Sequence, residues 1–148
     1  MKTGETLFLI DDDADDRNLF RAVLEDFEAE VNYVTAVDGL DALQKLQSAE
    51  LLPKLIVLDL GMPFMGGSDL LIELNKIERL KQVPVVIYST SPFHFAKNVE
   101  QQIKVADTIE KPSTIDGLEC IVRDLLQRYF PGALKKEHWA LQQRATGS

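Results

Sequence analysis

The stretch that decides the fold is Leu55-Ile56-Val57-Leu58-Asp59-Leu60-Gly61-Met62-Pro63. Four apolar residues run into one carboxylate, and glycine and proline then turn the chain. A short Leu, Ile and Val run bounded by turn residues has the character of a parallel strand buried on both faces. In an open parallel sheet, ligands sit beyond the carboxyl ends of the strands. Asp59 belongs at such an end. A second apolar run, Thr6–Ile10, leads in the same way into Asp11-Asp12-Asp13.

Working outward, the apolar spacing alternates between two periods. Leu19, Phe20, Val23, Leu24 and Phe27 recur at helical spacing, with Asp15 and Asp16 at the positive end of that helix. Asn32–Ala36 reads as a brief strand near an edge. Asp38 and Asp41 form a capping pair that opens a helix lined by Leu40, Leu43 and Leu46. Leu70, Leu71, Leu74 and Ile77 give a third helix after a turn at Phe64-Met65-Gly66-Gly67. Pro84 precedes a strand over 85–88, which ends in Ser89-Thr90-Ser91. Ser91-Pro92 starts a fourth helix that runs to about Lys104. A weak fifth strand over 106–110 ends at Lys111-Pro112. Ser113 and Asp116 offer another capping pair. Leu118, Ile121, Val122, Leu125, Leu126 and Tyr129 build the last helix, stopped by Pro131-Gly132. Five strand-helix alternations with right-handed crossovers give an α/β fold, a doubly wound five-stranded parallel sheet with helices on both faces. One domain over residues 1–130 is expected. Residues 131–148 form a polar tail with no separate domain.

Composition narrows the function. The chain has 148 residues, 45% apolar, and a net charge of −8, which argues against a nucleic-acid or anionic-membrane surface. Its one cysteine, Cys120, cannot close an internal disulfide, which fits a reducing compartment. Cys120 falls on the apolar side of the last predicted helix, so a buried thiol is expected. The N-terminus lacks a signal peptide's apolar run and no stretch is long enough to span a bilayer. A cytoplasmic protein is the expectation.

The notable polar residues all follow strands: Asp11 to Asp13, Asp59, Ser89 with Thr90, and Lys111. In this fold those ends share one edge, so they converge on an acidic pocket with a lysine and a hydroxyl. Three close carboxylates repel and need neutralising. A hard divalent cation such as Mg²⁺ suits a few carboxylates, waters and a phosphate. An Asp carboxylate can then attack phosphorus to give an aspartyl phosphate, with Lys111 as a point charge beside it. For Asp13, Asp15 and Asp16 a solvated role favoured by the helix dipole is expected. A calcium loop on Asp11, Asp13 and Asp15 is excluded, because its sixth position is Asp16 rather than glycine and its twelfth is Ala22 rather than Glu.

Asp11-Asp12, Asp59 with Met62-Pro63, Ser89-Thr90 and Lys111-Pro112 together resemble the receiver domain of two-component response regulators. The likeness covers roughly residues 5 to 130, and Asp15-Asp16-Arg17 with the Ser89-Thr90-Ser91 run looks like stand-alone receivers, some of which serve phytochrome-type kinases. It implies a flavodoxin-like (βα)5 fold and Asp59 as phosphoacceptor. It also implies Mg²⁺ held by Asp12, Asp59 and the carbonyl of Gly61, with Asp11 acting through water. Ser89 would bond the phosphoryl oxygen with help from the Thr90 amide, Lys111 would pair with it, and Lys111-Pro112 would be cis. The implied partners are a sensor histidine kinase or histidine phosphotransfer protein, and a protein effector. A homodimer through the fourth helix, fifth strand and last helix is a further implication.

The chain departs from the family pattern at Thr108, where an aromatic often stands, and at Thr90, where a small residue is usual. Gly61 and Ser91 bring no charge to the phosphate. Phe93, His94 and Phe95 cannot all face a core, so an exposed partner patch is expected there. His138 and Trp139 are read as loosely docked tail. The rival reading is a haloacid-dehalogenase-like phosphohydrolase using Asp11-Asp12-Asp13. It lacks the usual Thr or Val at Asp15 and leaves Asp59-x-x-Met-Pro unexplained.

Overall fold

Strand formation follows the apolar runs. The computed structural model describes residues 4–62, 67–90 and 105–134. Its strands are β1 (Thr6–Ile10), β2 (Asn32–Ala36), β3 (Leu55–Leu58), β4 (Val85–Ser89) and β5 (Asp107–Glu110), and all pairs are parallel. Their order is β2-β1-β3-β4-β5. The strands richest in Val, Ile and Leu are central: every residue of β3 and β4 is buried. The border strand β5 alternates half-buried and exposed. Chain progression reverses between β1 and β3, which is where such a sheet opens a crevice at its carboxyl edge.

Alternation along each strand divides two cores. Leu7, Leu9, Val57 and Val86 meet Phe20, Val23 and Leu24 of α1 (Ala14–Asp26) and Val122, Leu125 and Leu126 of α4 (Ile115–Tyr129). Phe8, Ile10, Ile56, Leu58 and Ile87 meet Ala42 and Leu46 of α2 (Gly39–Ser48) and Leu70, Leu71 and Leu74 of α3 (Gly67–Asn75). A 3₁₀ turn, Glu78–Leu80, adds Leu80 to this second core. The doubly wound α/β sheet with helices on both faces is therefore the observed architecture.

Several local expectations are corrected. Cys120 is exposed; at about 100° per residue it lies roughly 200° around α4 from both Leu118 and Val122. Leu40 is 61% exposed, because it lies about as far around α2 from the buried Ala42. Leu19 is also exposed, leaving Phe20, Val23 and Leu24 to carry the α1 seam. The last helix is capped by Thr114, whose hydroxyl accepts from the Gly117 N–H, rather than by Ser113 and Asp116. No peptide bond among the described residues is cis. Lys111–Pro112 is therefore trans, the form an X–Pro bond prefers by about 0.5–1 kcal/mol. The Asp38 cap holds, accepting from the Asp41 N–H, while Asp41 reaches back to Val37 N–H. The expected turn at Phe64, the Ser91-Pro92 helix with its Phe93-His94-Phe95 cluster, and the tail residues His138 and Trp139 lie outside the described residues. No described helix is long and apolar enough to cross a membrane.

Phe20 is the keystone of the first core. It is fully buried, stacks on Tyr33 at 5.8 Å and meets Tyr88 edge-on at 6.2 Å. Phe20→Ala is expected to cost about 3–5 kcal/mol in urea unfolding, whereas Leu40→Ala stays within about 0.5 kcal/mol.

Candidate phosphoacceptor and metal site

The sheet ladder continues one residue past the strands and fixes the site backbone. Asp11 N–H donates to Ala36 O at 3.1 Å, Asp59 N–H to Ile10 O at 2.9 Å, and Lys111 N–H to Ser89 O at 2.9 Å. Each of these residues is thereby tied to a neighbouring strand. Asp11, Asp12 and Asp59 each place a carboxylate oxygen within 4.8 Å of the others. Asp11 is fully buried, Asp59 nearly so, and Asp12 exposed. An all-oxygen set of this kind, open to solvent on the Asp12 side, has the donor chemistry that a hard divalent cation takes.

Lys111 holds the crowded acids together. Its Nζ lies 2.8 Å from Asp11 Oδ2, 2.8 Å from Asp16 Oδ2 and 3.4 Å from Asp59 Oδ2. The other carboxylate oxygens accept backbone amides: Asp11 Oδ1 from Asp13 N–H, and Asp59 Oδ1 from Gly61 N–H. Burial opposes the charge on Lys111, but its hydrogen bonds to Asp11 and Asp16 lift its pKa above the ordinary value. Burial pushes the Asp11 carboxyl up, against Lys111 and the Asp13 amide, which pull it down. The Tyr88 ring lies beneath the ammonium, its centroid 5.5 Å from Nζ. Burial pushes the Tyr88 phenol up to about 12, so it stays neutral beside the lysine. Ser89 is buried at the β4 tip and Thr90 is exposed beyond it.

Sequence reasoning missed three participants. Asp16, read as a solvated first-turn acid, pairs with Lys111. Asp13 serves the helix instead, accepting the amides of Asp15 and Asp16 as its N-cap. Arg17 donates from Nη1 to the Asp11 carbonyl, and its own carbonyl accepts the Tyr33 hydroxyl, both at 2.8 Å. For Tyr88 a signal existed: it shares strand parity with the buried Val86, so it faces α1 and α4 at the strand tip.

Comparison with known proteins agrees with this geometry. The family described as the response regulator receiver domain matches residues 7–123, and the chain belongs to that family. The cyclic di-GMP phosphodiesterase response regulator RpfG of Xanthomonas campestris pv. campestris is 25% identical over 146 residues. That match covers 98% of this chain, but the chain spans only 38% of RpfG. The crystal structure of the phosphorylated cyanobacterial phytochrome response regulator RcpA superposes with a TM-score of 0.76 at 27% identity. It covers 88% of this chain and 97% of that one. The Mn²⁺-bound form of the response regulator Rcp1 gives 0.72 at 24% identity, covering 88% and 99%. The acidic cluster fits a phosphoacceptor site, and the hydrolase alternative built on Asp11-Asp12-Asp13 is set aside. The receiver family is regulatory, its members work with histidine kinases or phosphotransfer proteins, and they bind divalent metal at the acidic cluster.

The opposed shifts set a pH dependence. Asp11's raised pKa gives a stabilising contribution that is full below about 3.9, its unfolded value, and is lost as pH rises through the folded value. Asp41 and Asp107 are lowered. For Asp41, burial opposes the shift, but the Val37 amide and Lys45 outweigh it; for Asp107 the Arg128 hydrogen bond leads. Their contributions are present above about 3.9 and lost as pH falls. The metal-free protein is therefore expected to be most stable in weak acid. In urea unfolding from about pH 4 to pH 8, Asp11→Asn should flatten the decline on the alkaline side.

Proposed function

We propose that Asp59 accepts a phosphoryl group from the phosphohistidine of a sensor kinase or phosphotransfer protein. The supporting observation is the Lys111 bridge. One ammonium touches both Asp11 and Asp59 beside a third carboxylate, on the edge where the sheet reverses. An Asp59 carboxylate oxygen forms the new O–P bond as the N–P bond of the donor breaks, and the leaving imidazole keeps the nitrogen electron pair and takes up a proton. Mg²⁺, held by Asp12, Asp59 and the Gly61 carbonyl with Asp11 through water, would supply charge neutralisation for the phosphoryl oxygens. Lys111 holds one phosphoryl oxygen as a fixed positive charge. The Ser89 hydroxyl donates to another, with the Thr90 amide beside it.

The added charge, about −2 at neutral pH, draws Ser89 and Lys111 inward and shifts an existing equilibrium. The altered surface then binds a protein effector or a second copy of the chain. Catalysis is confined to the protein's own phosphorylation and dephosphorylation. Residues 1–130 carry the receiver unit, which takes in the chain just beyond them, because Ala133 and Leu134 are buried in the first core and the Ala133 carbonyl accepts the Glu30 N–H; the protein works in the cytoplasm.

Incubation with acetyl phosphate and Mg²⁺ should add one phosphoryl group per chain by intact mass, and EDTA should prevent it. Asp59→Asn should show no labelling; a labelled Asp59→Asn would identify a different acceptor. Lys111→Ala should keep some labelling while amide resonances outside the site shift less than in wild type.

A further inference from the structure

The resting partners of Lys111 carry an inference that rests on the phosphoacceptor reading of Asp59. An ammonium has three N–H donors, and here it faces three carboxylates. The two short distances, both 2.8 Å, go to Asp11 and Asp16; the long one, 3.4 Å, goes to Asp59. The cation is therefore drawn off the acceptor. Asp11 belongs to the three-carboxylate cluster, so a bound divalent cation competes with Lys111 for it. Asp16 stands outside that cluster, on the first turn of α1, so a cation held by Asp11, Asp12 and Asp59 does not take it as a ligand.

We propose that Asp16 is a counter-ligand for Lys111, a positioning residue that holds the lysine away from Asp59 and competes with the phosphoryl group for it. Lys111 is anchored from below by the Tyr88 ring and its side chain is 11% exposed, and its ion-pair partners among the described residues are these acids. The Asp16 side chain is 33% exposed and can turn out to water when the lysine leaves. Such a contact sets how much phosphoryl charge is needed to switch the domain. It leaves the chemistry at Asp59 unchanged.

Asp15 provides the charge control. It sits in the same helical turn and is exposed, and no ion pair between it and Lys111 is found among the described residues. Beryllofluoride, as the phosphoryl mimic, is titrated with Mg²⁺ and followed by the Gly61 amide resonance. Asp16→Asn is expected to bind roughly fivefold tighter than wild type, the size of a partly solvated ion pair. Asp15→Asn and Asp16→Glu should stay within about twofold of wild type, the latter because it keeps the acid on a longer stem. In a Lys111→Ala background the effect of Asp16→Asn should vanish, since the two changes act through one contact. Equal tightening by Asp15→Asn, or the same gain without Lys111, would reduce Asp16 to bulk charge and overturn the proposal. Unchanged or weaker binding by Asp16→Asn would overturn it as well. A wild type that binds no beryllofluoride would instead sink the phosphoacceptor reading, and this inference with it.

Discussion

Charge crowding at the carboxyl edge of the sheet is the constraint everything else answers to. Asp11 and Asp59 are buried, Asp12 and Asp16 stand beside them, and one ammonium serves three of the four. Buried charge is tolerated only when paired and hydrogen-bonded. The backbone supplies part of that compensation through the Asp13 and Gly61 amides, and Lys111 supplies most of the rest. The arrangement remains rich in negative charge, with four carboxylates set against the Lys111 ammonium. The topology makes the crowding possible. Only a parallel sheet brings residues 11, 59 and 111 to one rim while the apolar bodies of their strands stay in the core.

How much of this was readable from the chain depended on whether a signal was local. The Leu55–Leu58 run declared a buried strand leading into Asp59, and the burial of β3 and the ladder bond of the Asp59 amide bear that out. Period and turn residues located every strand to within a residue. Failures came where faces had to be resolved more finely than a stripe: Cys120 and Leu40 sit outside the buried arc of their helices. Asp16 was not legible at all as a partner. Its role depends on Lys111, which is 95 residues away in sequence. A first-turn acid satisfies the helix dipole equally well with or without such a partner.

Tyr88 heads an aromatic series on the first-core face of the sheet. Thr108 leaves β5 without a ring and pairs with Ile87 on the other face, while Tyr88 stands at the tip of the neighbouring strand, beneath Lys111. From Tyr88 a packed series runs through Phe20 to Tyr33, whose face also carries the Arg21 guanidinium at 5.4 Å. The Tyr33 hydroxyl returns to Arg17, and Arg17 to the Asp11 carbonyl. The loop bearing the acids is thus braced on the side of β1, β2 and α1. Rigidity there matches what the site needs, because ligating oxygens a few ångströms apart are useful only if their backbone does not drift.

The outer strand β5 has a consequence of its own. It is only four residues long and carries Asp107 at one end and Glu110 at the other, with Asp107 tied to Arg128 at 2.8 Å. Side-by-side antiparallel pairing of two molecules through β5 would bring four carboxylates, Asp107 and Glu110 from each, into a ribbon only four residues long. Charged side chains on a short border strand discourage such edge-to-edge pairing. The same acidity that characterises the whole chain thus also guards this rim against self-templating.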